Sequence, residues 1–105
     1  MEIREKRTPR RLELSLIGDV DVYQAPALKV KVMMLAESGE LPPRTLLDFR
    51  GVGYIDSAGL AAVIDAHRRL GAAGSPVRLV GLSADVHRVF RFARLAGYLD
   101  IESPG

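Results

Sequence analysis

The 105-residue chain has no cysteine and no tryptophan, and its aromatic complement is three Tyr and three Phe. Without cysteine, no disulfide framework holds the fold. No apolar run approaches the roughly 20 residues that span a bilayer. The N-terminal MEIREKRTPRR lacks the apolar core of a signal peptide, so the cytoplasm is the expected compartment. A net charge of +2 is small. The basic residues Arg4, Lys6, Arg7, Arg10 and Arg11 are interspersed with Glu2, Glu5 and Glu13, which reads as a charged edge strand. No aromatic side chains interleave with them, as a single-strand nucleic-acid binder requires, so no direct nucleic-acid partner is expected.

Catalytic signatures are missing as well. Gly51-Val52-Gly53 follows an apolar strand, but the third glycine of a dinucleotide fingerprint falls on Asp56, whose charge opposes a pyrophosphate. There is no P-loop. Asp19, Asp21, Asp48 and Asp56 do not make a phosphoacceptor receiver site, since no lysine follows Lys31; Asp19 and Asp21 are expected to hold loop turns. His67 and His87 fall on different helices with no carboxylate at metal spacing, and both read as packed or boundary residues. Ile55-Asp56-Ser57-Ala58-Gly59 lacks the first glycine of a hydrolase nucleophile elbow. The expectation is a protein that is not an enzyme and holds no cofactor and no metal.

What is present is a hydrophobic fraction of 48% beside 27% charged residues, enough for one core and one domain over residues 1–105. Leu12, Leu14 and Leu16 alternate with polar neighbours, the period of a half-buried strand, and Glu2–Thr8 precedes it as a short strand bounded by Pro9. A helix is predicted from about Gln24 to Ser38, with Pro26 in its first turn, Gly39 at its stop, and Ala25, Leu28, Val32 and Leu35 as its core stripe. Val30, Met33 and Met34 fall partly off that stripe and are expected to widen the core face rather than meet a partner. A strand over Arg44–Phe49 leads to a second helix with Leu60, Val63, Ile64, His67 and Gly71 at helical spacing. Gly71 to Gly74 reads as a turn, then come a strand over Val77–Gly81, a helix capped by Ser83 with Val86, Val89, Phe90 and Ala93 inward, a stop at Gly97, and a short strand within Tyr98–Glu102. The order β-β-α-β-α-β-α-β implies an α/β fold: a mainly parallel sheet of four to five strands with an antiparallel edge strand and helices packed on it.

The chain is organised around Leu46–Leu70, LLDFRGVGYIDSAGLAAVIDAHRRL. A buried strand enters a glycine-containing loop, and a helix starts at or near Ser57. Serine is a favoured N-cap, and its hydroxyl here lies at the positive end of the helix dipole on a strand-to-helix loop. It is either a cap alone or an acceptor of phosphate. The Asp21 loop and the turn Asp56-Ser57-Ala58-Gly59-Leu60 follow neighbouring parallel strands, so they are expected to converge into one contact patch. In that patch Gly59 would let a partner backbone approach closely, and Leu60 would fix the helix to the sheet.

Those residues resemble the STAS domains of bacterial anti-sigma factor antagonists. The resemblance covers most of the chain: Gly18-Asp19-Val20-Asp21 with Ala25-Pro26-Ala27-Leu28, then Leu47-Asp48-Phe49 and Ile55-Asp56-Ser57-Ala58-Gly59-Leu60, then Val77-Arg78-Leu79-Val80 with Ser83-Ala84-Asp85-Val86. It implies a STAS-like fold and a phosphorylation-controlled partner switch. An anti-sigma factor serine kinase of histidine-kinase-like ATPase fold would bind the unphosphorylated protein and release a sigma factor. Phosphorylation on Ser57 would end that contact, and a serine phosphatase would restore it. STAS domains also serve as non-switching subunits, on the ATPase of a phospholipid-trafficking ABC transporter or in stress-sensing complexes; there the acceptor position is often Thr, so Ser57 favours the switch. Two positions depart from the pattern. Ala58 replaces a frequent second hydroxyl, and Arg94 stands before Leu95 where the family usually has Gly.

Overall fold

Leu12, Leu14 and Leu16 turn to one side of β2 (Leu12–Ile17) and are wholly buried. This strand sits between β1 (Glu2–Arg7), antiparallel to it, and β3 (Thr45–Gly51), parallel to it. With β4 (Val77–Val80) and the two-residue β5 (Asp100–Ile101), both parallel, the sheet order is β1-β2-β3-β4-β5. The computed structural model describes residues 1–103. Element order and sheet type are those read from the patterning, including the antiparallel edge. β1 is that edge, and its arginines pair with its own acids, Arg4 with Glu2 at 2.5 Å and Arg7 with Glu5 at 3.6 Å, while Glu5 also takes Lys31 of the first helix at 2.7 Å.

Three helices cover the leucine face of the sheet: α1 (Ala25–Glu37), α2 (Ser57–Ala72) and α3 (Ala84–Phe92). In α1 the buried set is Ala25, Leu28, Val32 and Leu35, as the periodicity predicts. Val30, Met33 and Met34 do not widen it; they are exposed, with Met34 at 63%. At 100° per residue Val30 and Met34 lie across the helix axis from the Leu28–Val32 line. In α2 the buried line is Gly59, Ala62, Val63, Ala66 and Leu70, one residue off the expected stripe, leaving Leu60, Ile64 and His67 half-buried. Small residues face inward because α2 packs beside α1 and on the sheet. His67 is a boundary residue, edge-on to Tyr98 with ring centroids 5.0 Å apart.

Helix ends also refine the reading. Helix α2 continues through Gly71 and Ala72 before turning at Gly74. Ser83 caps α3 by accepting from the Val86 N–H at 3.2 Å. The stop of α3 is Arg94, not Gly97: Arg94 has φ +59°, its N–H donates to the Arg91 carbonyl at 3.0 Å, and the Leu95 N–H donates to the Phe90 carbonyl at 2.9 Å. That pair of bonds is a Schellman closure, usually built on glycine. Arginine therefore occupies a left-handed position that glycine usually fills. At the centre of the core, Phe90 packs edge-on against Phe49 with centroids 5.9 Å apart, and the buried hydroxyls of Thr45 and Ser75 bond each other at 2.7 Å.

Candidate functional site

Beyond the ends of β2 and β3 the two chains stay paired. Val20 and Ile55 form a parallel bridge; the Val20 N–H donates to the Tyr54 carbonyl at 2.9 Å, and the Asp56 N–H to the Val20 carbonyl at 3.3 Å. The Asp21 loop and the start of α2 are thereby held side by side. Asp21 turns its own loop, its Oδ1 accepting from the N–H groups of Tyr23 and Gln24 at 3.0 Å each. Asp19 lies on the same loop and is exposed.

The cap of α2 is Asp56, not Ser57. Asp56 has extended backbone (φ −110°, ψ −173°), and its Oδ1 accepts from the Gly59 N–H at 2.9 Å. Both residue types favour the N-cap, so sequence alone leaves the choice open; the backbone decides it. Ser57 becomes the first helical residue. Its side chain is exposed, and among the described residues no hydrogen bond engages its hydroxyl. Ser75 is buried against Thr45, and Ser83 is committed to its own cap. Ala58 and Leu60 are half-buried beside Ser57.

Gly59 is placed differently from its expected role. It is buried, and a Cβ there would lie well under 3.0 Å from the Val20 carbonyl oxygen and 2.7 Å from Ile55 Cγ1. The close approach that needs glycine is by this chain's own Asp21 loop, not by a partner backbone.

Three residues escaped the sequence reading: Val22, Tyr23 and Tyr54 are all more than half exposed around Ser57. Their positions directly after Asp21 and directly before Ile55-Asp56 were the available signal. Asp48 joins neither Asp21 nor Asp56 in a cluster. It lies on the sheet face that carries no helix, where Arg50 clamps it through Nε (3.0 Å) and Nη2 (2.7 Å) to Oδ2. The Arg50 hydrogen bonds hold its carboxyl below the ordinary value, against the upward push of burial. Among the described residues no group of three His, Asp or Glu could hold a metal ion.

A family model described as "Mlab, STAS domain" matches residues 3–101. The chain belongs to the STAS-domain family. Among curated proteins it is 31% identical over 98 residues, covering 93% of this chain and 87% of the relative, to the anti-sigma-B factor antagonist of Bacillus subtilis strain 168. Among solved structures, a putative anti-sigma factor antagonist of Thermotoga maritima matches with a TM-score of 0.85 at 19% identity, over 97% of this chain and 86% of that one. The Bacillus cell fate determinant SpoIIAA in its phosphorylated form matches with a TM-score of 0.71 at 21% identity, over 97% and 92%. At these identities the two structures establish a shared fold. In this STAS domain, no helix among the described residues is long and apolar enough to cross a membrane.

Proposed function

We propose that this STAS domain is a non-enzymatic anti-sigma factor antagonist that works in the cytoplasm by partner switching. Unphosphorylated, it binds an anti-sigma factor that is itself a serine kinase of histidine-kinase-like ATPase fold, and a sigma factor is set free. The kinase transfers the γ-phosphoryl group of ATP to the Ser57 oxygen, ADP leaves, and the antagonist is released until a serine phosphatase removes the phosphate. The contact patch consists of Asp21, Asp56, Ser57, Ala58 and Leu60, with Val22, Tyr23 and Tyr54 at its edge, and Gly59 supports it from inside.

The observation that carries this reading is an exposed serine hydroxyl in the first turn of α2 that has no capping duty. A phosphate there meets helix N–H groups and the positive dipole end, so it need not melt the helix. It adds about −1.5 to −2 of charge beside Asp56, on the surface a partner would have to desolvate. Release by repulsion at the interface follows from that placement. The names of the relatives point the same way.

Incubation with the cognate kinase and ATP, followed by peptide mapping, tests the assignment: phosphate is expected on Ser57, and modification chiefly at Ser75 or Ser83 would refute it. Ser57→Ala is expected to stay bound to the kinase whatever the ATP level. An ABC ATPase as the stable companion in native copurification would replace this reading with a transporter-subunit role.

A further inference from the structure

Helix α1 is apolar on two sides, which a helix on the surface of a lone domain does not need. One side is the buried line of Ala25, Leu28, Val32 and Leu35. Opposite it, Ala27, Val30 and Met34 follow at steps of three and four residues, and Tyr23 stands in the turn just before the helix, all exposed: Tyr23 at 84%, Val30 at 51%, Met34 at 63%. At 1.5 Å per residue the helical part of this second stripe, Ala27 to Met34, is about 10 Å long. Lys29 and Lys31 flank it on either side, and Lys31 is neutralised by Glu5 at 2.7 Å.

The stripe does not end in bare solvent. Its first residue follows Val22, whose N–H donates to Asp56 Oδ2 at 2.9 Å, so it begins at the cap of the helix that presents Ser57. We propose that the outer face of α1 is a second docking strip for the same anti-sigma kinase, which would lay an apolar groove with an acidic edge toward Lys29 along it. This rests on the partner-switching reading above. Continuity with the Ser57 patch selects that occupant, and flexible methionine and exposed tyrosine are the side chains adaptable interfaces use. The strip supplies affinity that phosphorylation does not touch, while Ser57 supplies the switch.

The test is calorimetric titration of the kinase with wild type, Ser57→Asp, the pair Val30→Glu with Met34→Glu, the combination of all three, and Phe92→Ser. Phe92 is 81% exposed on α3, away from the strip. Glutamate is a good helix former, so the α1 pair is expected to melt like wild type. The pair is expected to weaken binding roughly tenfold to a hundredfold, to multiply with the Ser57→Asp loss because the contacts are separate, and Phe92→Ser is expected to change nothing. Unchanged affinity of a folded α1 pair, alongside weakened Ser57→Asp, overturns the strip and leaves the switch standing. Loss in Phe92→Ser without loss in the α1 pair puts the second contact on α3 and also overturns it. A wild-type dimer that the α1 pair converts to monomer in sedimentation makes the occupant a second copy of this chain and overturns the kinase assignment. Wild type that fails to bind the kinase overturns both readings together.

Discussion

Asp56 fastens Val22 to the start of α2: one carboxylate oxygen accepts from the Val22 N–H and the other from the Gly59 N–H, each at 2.9 Å. A single side chain thus ties the loop after β2 to the helix after β3. It does so immediately ahead of the residue read as the phosphate acceptor. The division of labour has a consequence for Ser57. With the orphan N–H of the first turn served by its neighbour, the serine is free to be chosen for chemistry rather than for stability.

Asp56→Ala removes the cap and the loop tie together. It is expected to cost about 2–5 kcal/mol, the sum of a lost cap and a lost charge-assisted bond. Ser57→Ala is expected to stay within about 0.5 kcal/mol of wild type, as surface changes away from such features do. Urea unfolding of both variants checks this. A larger loss for Ser57→Ala than for Asp56→Ala would return the cap to Ser57.

Gly59→Ala is expected to destabilise by about 1–3 kcal/mol or more, since the new methyl overlaps the Val20 carbonyl, which is backbone and cannot swing aside. For a domain of this size each kcal/mol lowers Tm by roughly 4–8 °C. A melting curve matching wild type would mean that the Asp21 loop is not held against α2. Substitutions at Gly59 therefore report on folding before they report on any partner.

Arg94→Gly is expected to stabilise the protein by about 0.5–1 kcal/mol. Glycine takes the left-handed backbone of Arg94 without the Cβ clash, which costs roughly 1–2 kcal/mol, and gives back part of that as unfolded-chain entropy. Thermal melting of the variant reads the sign directly. A lower Tm would show that the guanidinium does more for the fold than the strain costs.

Asp48 gives the stability a defined acid limb. Arg50 depresses its carboxyl in the folded state, so folding favours the ionised form. That contribution is complete above the unfolded value of 3.8 and fades as pH falls through the lower folded value. The urea midpoint of wild type is expected to exceed that of Asp48→Asn at about pH 6, with the gap closing toward about pH 2.5. A gap that persists unchanged in acid would show that the ionised pair is not its source.

The sheet and α1 were legible because their signals are periodic: Leu12, Leu14 and Leu16 at period two, Ala25, Leu28, Val32 and Leu35 at helical steps. The departures share a different cause. Asp56 and Ser57 have similar cap preference, and only the backbone angles separate them. Val30 and Met34 carry the hydrophobicity of core residues, and their angular position outweighs it. Gly59, Ala62 and Ala66 have too little side chain to register as a core stripe, yet their smallness is what lets α2 approach its neighbours. The candidate site was half legible. Asp21, Asp56 and Ser57 stood out as residue types at loop ends, whereas Val22, Tyr23 and Tyr54 become visible as a surface only once the two loops are paired.

Charge and shape can be separated at Ser57. An aspartate at the first helical position sits well with the dipole, by about 0.3–1 kcal/mol, so Ser57→Asp is expected to be as stable as wild type or slightly more so, less any repulsion from Asp56. It brings one compact charge, where phosphate brings about −1.5 to −2 and three acceptor oxygens. If each charge that the interface must desolvate costs roughly 1–3 kcal/mol, Ser57→Asp weakens kinase binding by about one to two orders of magnitude and phosphorylation by more. Titrations of wild type, Ser57→Asp and the phosphoprotein give the order, with circular dichroism and melting recorded on each. Binding of Ser57→Asp as tight as wild type at equal stability would remove local charge as the switch. A phosphoprotein that loses helix signal or melts far earlier would replace interface repulsion with unfolding of α2, because the added charge would then have broken the hold of Asp56 on Gly59 and Val22 instead of repelling the partner.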